Sequence, residues 1–358
     1  MARFVLTFLG ALLLASCSDG KQAVAPTELS PSLTTAAAPD LDYVPRDLGT
    51  IAGNYSRALD INNQGQIVGE TDVPSGRHGF IWTESRGMVA LSTLGGTYST
   101  PAEINDRGVI VGWAGNPENA VRAVVWTESG QIQQVPTPGV FSLGVSINDA
   151  GDITGSFAPS FDKFEFRPFV WTKRDGFRDL GSLGGAEGFG AGESINNRGE
   201  VVGRSPLVDG KRGSFIWTAR DGMRNLGTLA GGEPWAFAIN DLGEVVGWEE
   251  NTKPNGWTRA FIWTATSGFT DLGALPFAEN ARAWSINNGG EVVGESWNGF
   301  QTHLFIWTRQ DGMRDLGVAP GQTKSGAIGI NDSGDIVGWA DVLGSELHAV
   351  LWTPRMRT

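Results

Sequence analysis

The sequence predicts an all-β chain: a seven-bladed β-propeller of four-stranded antiparallel blades, its ring closed by the N-terminal strand completing the last blade. Three observations predict it. Of 358 residues, 51 are glycine, 40% are apolar, and no collagen-like triplet runs through the chain. Glycine stands at about twice its usual share, so it marks many tight turns between short buried segments. The dipeptide Ile-Asn recurs at residues 61, 104, 147, 195, 239, 286 and 330, and a Trp-Thr pair follows each one. Those tryptophans are Trp82, Trp126, Trp171, Trp217, Trp263, Trp307 and Trp352, and their six intervals average 45 residues. A period of that length is a propeller blade, which is a four-stranded sheet.

Residues 1–16 read as an address. Arg3 precedes an apolar run from Phe4 to Ala15, too short to span a bilayer and of the length of a signal-peptide core. The run ends Leu14-Ala15-Ser16-Cys17, which resembles the lipobox of bacterial lipoproteins. That resemblance implies cleavage before Cys17 and lipidation of its thiol, with stable anchoring by more than one acyl chain. Cys17 is the chain's single cysteine, so lipidation would leave the folded part without thiols. The expected location is the bacterial cell envelope, at the outer membrane or cell surface.

Residues 17–42 hold that cysteine and a stretch rich in Ala, Pro, Ser and Thr. Such a composition buries too little apolar surface to offset the entropy of ordering, so it reads as a flexible tether. Residues 43–358 carry the repeats. Blade 6 displays the four predicted strands plainly: Arg282–Asn287, Glu291–Ser296, Leu304–Thr308 and Met313–Gly317. Each is short, rich in Val, Ile, Phe or Trp, and bounded by turn residues. The repeated tryptophans are expected to fill the space of about 10 Å between packed sheets.

The two ends of the array complement each other. After Thr353 only five residues remain, so the seventh repeat lacks its fourth strand. Residues 43–50 match the fourth-strand motif seen at Arg178-Asp179-Leu180-Gly181 and Arg314-Asp315-Leu316-Gly317. Asp47–Thr50 is therefore expected to pair with Leu347–Thr353. A ring closed this way has no open sheet edges, which predicts a monomer.

The repeat reads Ile-Asn-Asn-Arg-Gly-Glu-Val-Val-Gly at 195–203, Ser-Phe-Ile-Trp-Thr at 214–218 and Asp-Gly-Met-Arg-Asn-Leu-Gly-Thr-Leu at 221–229. This pattern resembles the HAF family of extracellular repeat proteins, and His348-Ala349-Val350 comes close to the tripeptide that names it. The resemblance covers residues 43–358 and implies export, with no established activity. The organisation also resembles WD-repeat and kelch propellers, which serve mostly as interaction platforms.

A formal net charge of −12 opposes the counterion-release attraction on which nucleic-acid binding depends. Loops such as Asn148-Asp149-Ala150-Gly151-Asp152 look faintly like calcium loops, but the first repeat holds no acid there; turn formation by Asn and Gly accounts for them better. His78, His303 and His348 each precede a repeat Trp by four residues, a position that Arg122, Arg167 and Arg259 share. Equivalent points on adjacent sheets lie too far apart for one zinc ion, so a structural hydrogen bond is expected instead. No metal or other cofactor is expected, no nucleophile elbow occurs, and no pair of carboxylates rises above the repeat background.

What departs from the repeat is the second set of tryptophans. Trp113, Trp235, Trp248, Trp257, Trp284, Trp297 and Trp339 lie outside the core phase. Alternating strand direction places all of them toward one rim, Trp235 in the link into blade 5 and Trp113, Trp248 and Trp339 just past the Val-Gly closing a second strand. Five fall between 235 and 297, and the Phe157–Arg167 loop adds Phe157, Phe161, Phe164 and Phe166. Clustered aromatics on one face suit a contact surface, and flat indoles suit sugar rings or protein hot spots. The expected function is a non-catalytic envelope lipoprotein binding an extracellular glycan or protein. The alternative is an envelope propeller enzyme, such as a glycosidase or lyase acting on polysaccharide.

Overall fold

The computed structural model describes residues 43–355, apart from 119, 128, 161, 163, 164, 186, 187, 252–255, 319–323 and 343–345. The leader, Cys17 and the tether lie outside the described residues. Seven four-stranded antiparallel blades form a β-propeller, and no helix occurs among the described residues. In blade 6 the strands are Asn280–Ile286, Val292–Trp297, Thr302–Thr308 and Gly312–Gly317, within two residues of expectation. One short strand, Gly188–Phe189, adds parallel pairing to the start of the third strand of blade 3. First strands of successive blades touch one another around the whole ring, including the first strand of blade 7 against that of blade 1. They are thus the innermost strands, and side chains on them meet near the axis.

The ring closes as expected, with one correction. The N-terminal strand Tyr43–Asp47 pairs antiparallel with the end of Glu346–Pro354, from Tyr43 opposite Pro354 to Asp47 opposite Val350. Leu48 N–H then donates to Ala349 C=O at 2.9 Å. Pairing therefore begins at Tyr43 and stops at Leu48, short of Thr50. The reason is Asp47, whose Oδ1 accepts the Gly49 N–H at 2.8 Å and turns the chain out of the sheet.

Trp82, Trp126, Trp217, Trp263 and Trp352 are buried, and Trp171 and Trp307 are partly buried against neighbouring core clusters. All seven face the first residue of a second strand, as in Ile67 opposite Trp82 and Val245 opposite Trp263. Burial of these indoles is a repeated apolar contribution to the fold.

The Ile-Asn motif forms a structure of its own. Asn196 Oδ1 accepts the N–H groups of Arg198 and Glu200, closing the hairpin turn, and Gly199 supplies a φ of 74°. Its Nδ2 donates to the Asn240 carbonyl of the next blade at 3.0 Å. The same bond runs from Asn62 to Asn105, then Asn148, Asn196, Asn240, Asn287, Asn331 and back to Asn62. A second closed ring lies beside it, where the N–H of each following residue meets the Oδ1 of its counterpart, from Asn63 through Asp106, Asp149, Asn197, Asp241, Asn288 and Asp332 to Asn63. These side chains are spent on turns and on the ring.

In four blades a fourth-strand Asp answers the His or Arg before the repeat Trp, whereas blades 1 and 2 have Ala90 and Gln134 at that position. Asp47 meets His348 at 2.8 Å, Asp179 meets Arg167 at 2.9 Å, Asp271 meets Arg259 at 3.0 Å and Asp315 meets His303 at 2.9 Å. Blade 4, which has Gly213 in place of the cation, has neutral Asn225 in place of the Asp.

Candidate functional site

A bulge in every first strand sets the geometry of the end opposite the Asn rings. It falls at one point in each repeat, for example between Ala236 and Ala238 in blade 5 and between Ala283 and Ser285 in blade 6. The bulge brings a first-strand carbonyl against the second-strand glycine; a Cβ on Gly247 would lie 1.8 Å from the Trp235 oxygen. Only glycine fits there, and the bulged residue is re-aimed relative to an ordinary strand. Each blade consequently offers three side chains at this end: the residue opposite the one after that glycine, the residue after the glycine itself, and the bulged residue.

Blades 4, 5 and 6 fill these positions with a continuous stack. Arg204 lies 3.5 Å above the Trp235 ring and 4.3 Å from Phe189. Trp235 sits opposite Trp248 in the sheet, centroids 4.9 Å apart, and its Nε1 donates to Glu193 at 3.3 Å. Trp248 touches Phe237 at 5.5 Å and Trp284 at 4.8 Å, and Arg282 lies 5.3 Å from Trp248 and 5.0 Å from Trp297. Trp257 has Arg259 at 4.6 Å.

Charges are paired within this layer. Arg204 meets Glu193 at 3.1 Å with both side chains nearly buried, and burial pulls its guanidinium down to about 10 despite that carboxylate. Arg282 reaches Glu250 at 3.3 Å and Glu295 at 3.9 Å. Burial raises the Glu295 carboxyl, and Arg282, Trp284 and Arg57 oppose the rise.

Blades 7, 1 and 2 are built differently. Blade 1 carries Arg57 opposite Glu70, an ion pair of 3.7 Å, and Glu70 accepts the Thr100 hydroxyl of blade 2 at 2.9 Å. On either side stand Trp339 and Trp113, each half-buried and the residue after its second-strand glycine. Trp339 lies between Gly326 and Ala349 in its sheet, and Trp113 between Thr100 and Ala123. A Cβ on Gly326 would meet the Trp339 Nε1 at 2.7 Å, so the indole occupies the space of the missing side chain.

The expected rim tryptophans thus share one end of the propeller, but not as a set of exposed rings. Trp248 and Trp284 are buried, and Trp113, Trp235, Trp257, Trp297 and Trp339 are half-buried. Trp235 belongs to the strand Glu233–Ile239 rather than to a link, and the second strands run on past Val-Gly, as in Val245–Glu250. The phenylalanine patch is also corrected. Phe157 and Phe166 are buried, packed on Phe169, Phe177, Phe141 and Phe189, and Phe161 and Phe164 lie outside the described residues.

Sequence reading missed the charged partners Arg57, Glu70, Glu193, Arg204, Arg282 and Glu295. They depart from the repeat at the same positions as the tryptophans, so the same test of phase would have found them. It also missed a carboxyl pair. Asp60 and Glu103 occupy a first-strand position held elsewhere by Ser146, Ser194, Ala238, Ser285 and Gly329. Asp60 accepts the Ile104 N–H at 2.9 Å, as Ser146 accepts that of Ile195 at 3.0 Å. Burial pushes Asp60 up to about 7 against its backbone hydrogen bonds, and it raises Glu103 well above the usual carboxylate range, helped by the charge of Asp60. Among the described residues no group of three or more His, Cys, Asp or Glu is arranged to hold a metal ion.

No protein-family model matches the chain, and no curated protein matches it. Solved structures resemble it in fold. The β-propeller domain of the Trilobed protease from Pyrococcus furiosus is 12% identical, with a TM-score of 0.58 over 84% of this chain and 94% of that one. It is described as having an open velcro topology, whereas here Tyr43–Asp47 closes the ring. An oligogalacturonate lyase in complex with manganese aligns at 12% identity and TM-score 0.52 over 88% and 92% of the two chains. Puromycin hydrolase aligns at 12% identity and TM-score 0.59, but the match spans 85% of this chain and about half, 52%, of that one. At such identities the likeness defines the class as a β-propeller and carries no activity with it.

Proposed function

We propose that this chain is an exported HAF-type repeat protein, lipid-anchored through Cys17 in the bacterial cell envelope. Its propeller binds an extracellular glycan or protein at the channel mouth opposite the Asn rings, without catalysis. One observation carries this reading: the two ends of the propeller differ in regularity. The Asn end repeats the same bond in all seven blades, and the other end places indoles and paired charges at positions that differ from blade to blade. Side chains that break a repeat on a rigid scaffold are where recognition is built.

The face is testable without knowing the ligand. In a Cys17→Ser background, one cysteine is placed at Phe300, exposed in the loop before the third strand of blade 6, or at Leu242, exposed in the Asn240–Glu244 turn at the opposite end. Each is labelled with a bulky maleimide polymer, and binding to glycan arrays and crosslinking to envelope proteins are measured. Block by the Phe300 label alone is expected; block by the Leu242 label alone refutes the assignment. The anchor is tested separately by labelling cells with radioactive palmitate, which Cys17→Ser should abolish.

Asp60 and Glu103 favour the second reading, a polysaccharide hydrolase or lyase, because a raised carboxyl beside another has the chemistry of an acid and base pair. It predicts turnover of polysaccharide, seen as new reducing or unsaturated ends and lost in both Asp60→Asn and Glu103→Gln. Their bonds to backbone N–H groups, where serine serves in other blades, support a structural role instead.

A further inference from the structure

We propose that the ligand is a neutral oligosaccharide seated across blades 7, 1 and 2, with sugar rings on Trp339 and Trp113 and hydroxyls hydrogen-bonded by Arg57 and Glu70. This rests on the reading of the mouth as a binding face. The tryptophans of blades 4 to 6 have rings or guanidinium groups against them. Trp339 and Trp113 have no stacked ring, no stacked cation and no hydrogen-bond partner for the indole N–H among the described residues. Both are half-buried, so part of each indole reaches solvent, while the Nε1 end of Trp339 lies against Gly326.

Both stand one blade away from the same ion pair, at the same phase of the repeat. Small neighbours keep them clear: Gly326 and Ala349 beside Trp339, Thr100 and Ala123 beside Trp113. Flat apolar faces with a paired donor and acceptor between them match a sugar, which offers C–H faces and a belt of hydroxyls.

Charge selects the neutral class. Arg57 is balanced by Glu70 at 3.7 Å and feels Glu295 as well, so no surplus cation is left to hold a carboxylate or sulfate. The chain's net charge of −12 repels polyanions in addition. A protein partner fits less well, because the large exposed apolar residues Val44, Ile51, Val89, Val208, Leu242 and Phe300 are scattered over strands and turns of five blades.

Calorimetry with cellohexaose, maltohexaose, mannohexaose, chitohexaose and anionic hexagalacturonate tests the proposal on the full chain carrying Cys17→Ser. At least one neutral probe should bind, and hexagalacturonate should not. Trp339→Ala and Trp113→Ala should each weaken binding about ten-fold, with Trp339→Phe retaining part of it. Gly326→Ala should also weaken binding, because its methyl displaces the indole. A melting temperature for each variant separates a lost seat from a lost fold, and Trp339→Phe keeps the test open if an alanine variant fails to fold.

Binding that survives both alanine variants but is lost in Trp257→Ala/Trp297→Ala overturns the seat and leaves the binding face standing. Preference for hexagalacturonate overturns the neutral class. No sugar bound, with a protein partner blocked by the Phe300 label, overturns the sugar and again leaves the face. If neither sugars nor protein bind, both readings fall together.

Discussion

At the Asn end of the propeller, seven blades present one residue and make one bond; at the other end, no two blades present the same three side chains. The Asn end is solved once and copied, from Asn62 to Asn331 and back to Asn62. The mouth divides again into a filled sector, where Trp235, Trp248 and Trp284 pack on one another, and a second one where the unstacked Trp339 and Trp113 flank the largely buried Arg57–Glu70 pair. Selection for closure needs uniformity, because each blade must hand the same partner to the next. Selection for recognition needs the opposite, and the contrast can be broken by substitution at either end.

Closure should give the largest effect. Deleting residues 43–50 removes the fourth strand of blade 7 and exposes the edge at Val350–Pro354, so the protein should unfold or oligomerise. Light scattering and a thermal melt check it; a monomer with an unchanged melt would show that the ring does not depend on its velcro. Next comes Asn196→Ala, which leaves the Arg198 and Glu200 N–H groups without their acceptor and the Asn240 carbonyl with the Gly243 N–H alone. The expected loss is about 3 kcal/mol in denaturant unfolding.

The two sectors of the mouth should separate in the same assay. Trp248 is buried among three aromatic rings, and Trp248→Ala should cost about 3–5 kcal/mol. Trp339 is half-buried and unstacked, and Trp339→Ala should cost under about 1 kcal/mol. Equal losses would erase the distinction between a packing set and a binding set.

How much of this was legible in the sequence follows from the same contrast. The period, the four strands and the velcro were readable because Ile-Asn and Trp-Thr recur at fixed spacing, and turn and core chemistry repeat with them. The Asn ring was not, since its donors and acceptors lie 43–48 residues apart within the ring and 269 apart at its closure. Phase alone named Trp113 and Trp339, but it could not tell them from Trp248 and Trp284. Stacking depends on what a neighbouring blade presents, and a single repeat does not contain that information.

Titration offers finer probes of closure. Asp60, raised to about 7 by burial, holds its proton in the fold at pH values where the unfolded chain has released it, so it subtracts stability as pH rises from 3.8 toward 7. Asp60→Asn should therefore raise the melting temperature at pH 8 and leave it nearly unchanged at pH 4. A uniform shift at both values would mean that volume or hydrogen bonding, and not charge, governs that position.

The smallest expected effect concerns the pair that fastens the velcro. His348 is raised above 6.5 chiefly by its hydrogen bond to Asp47, against burial. For Asp47, burial pushes upward, but His348 and the Gly49 N–H together hold it below 3.8. A raised histidine lends stability that is complete below 6.5 and is lost as pH rises through its folded value. A lowered aspartate lends stability that is complete above 3.8 and is lost as pH falls through its own. The latch is therefore strongest between about pH 4 and 6.5, where it should contribute about 1 kcal/mol for a partly exposed pair. His348→Gln should cost that much at pH 5 and little at pH 9, measured by melts across the range. His303 makes the same bond to Asp315 within blade 6, where both strands belong to one continuous repeat. His303→Gln should leave exchange of the Tyr43–Asp47 amides unchanged, while His348→Gln accelerates it at pH 5. Equal acceleration by both would mean that the pair serves blade stability in general and has no special part in closing the ring.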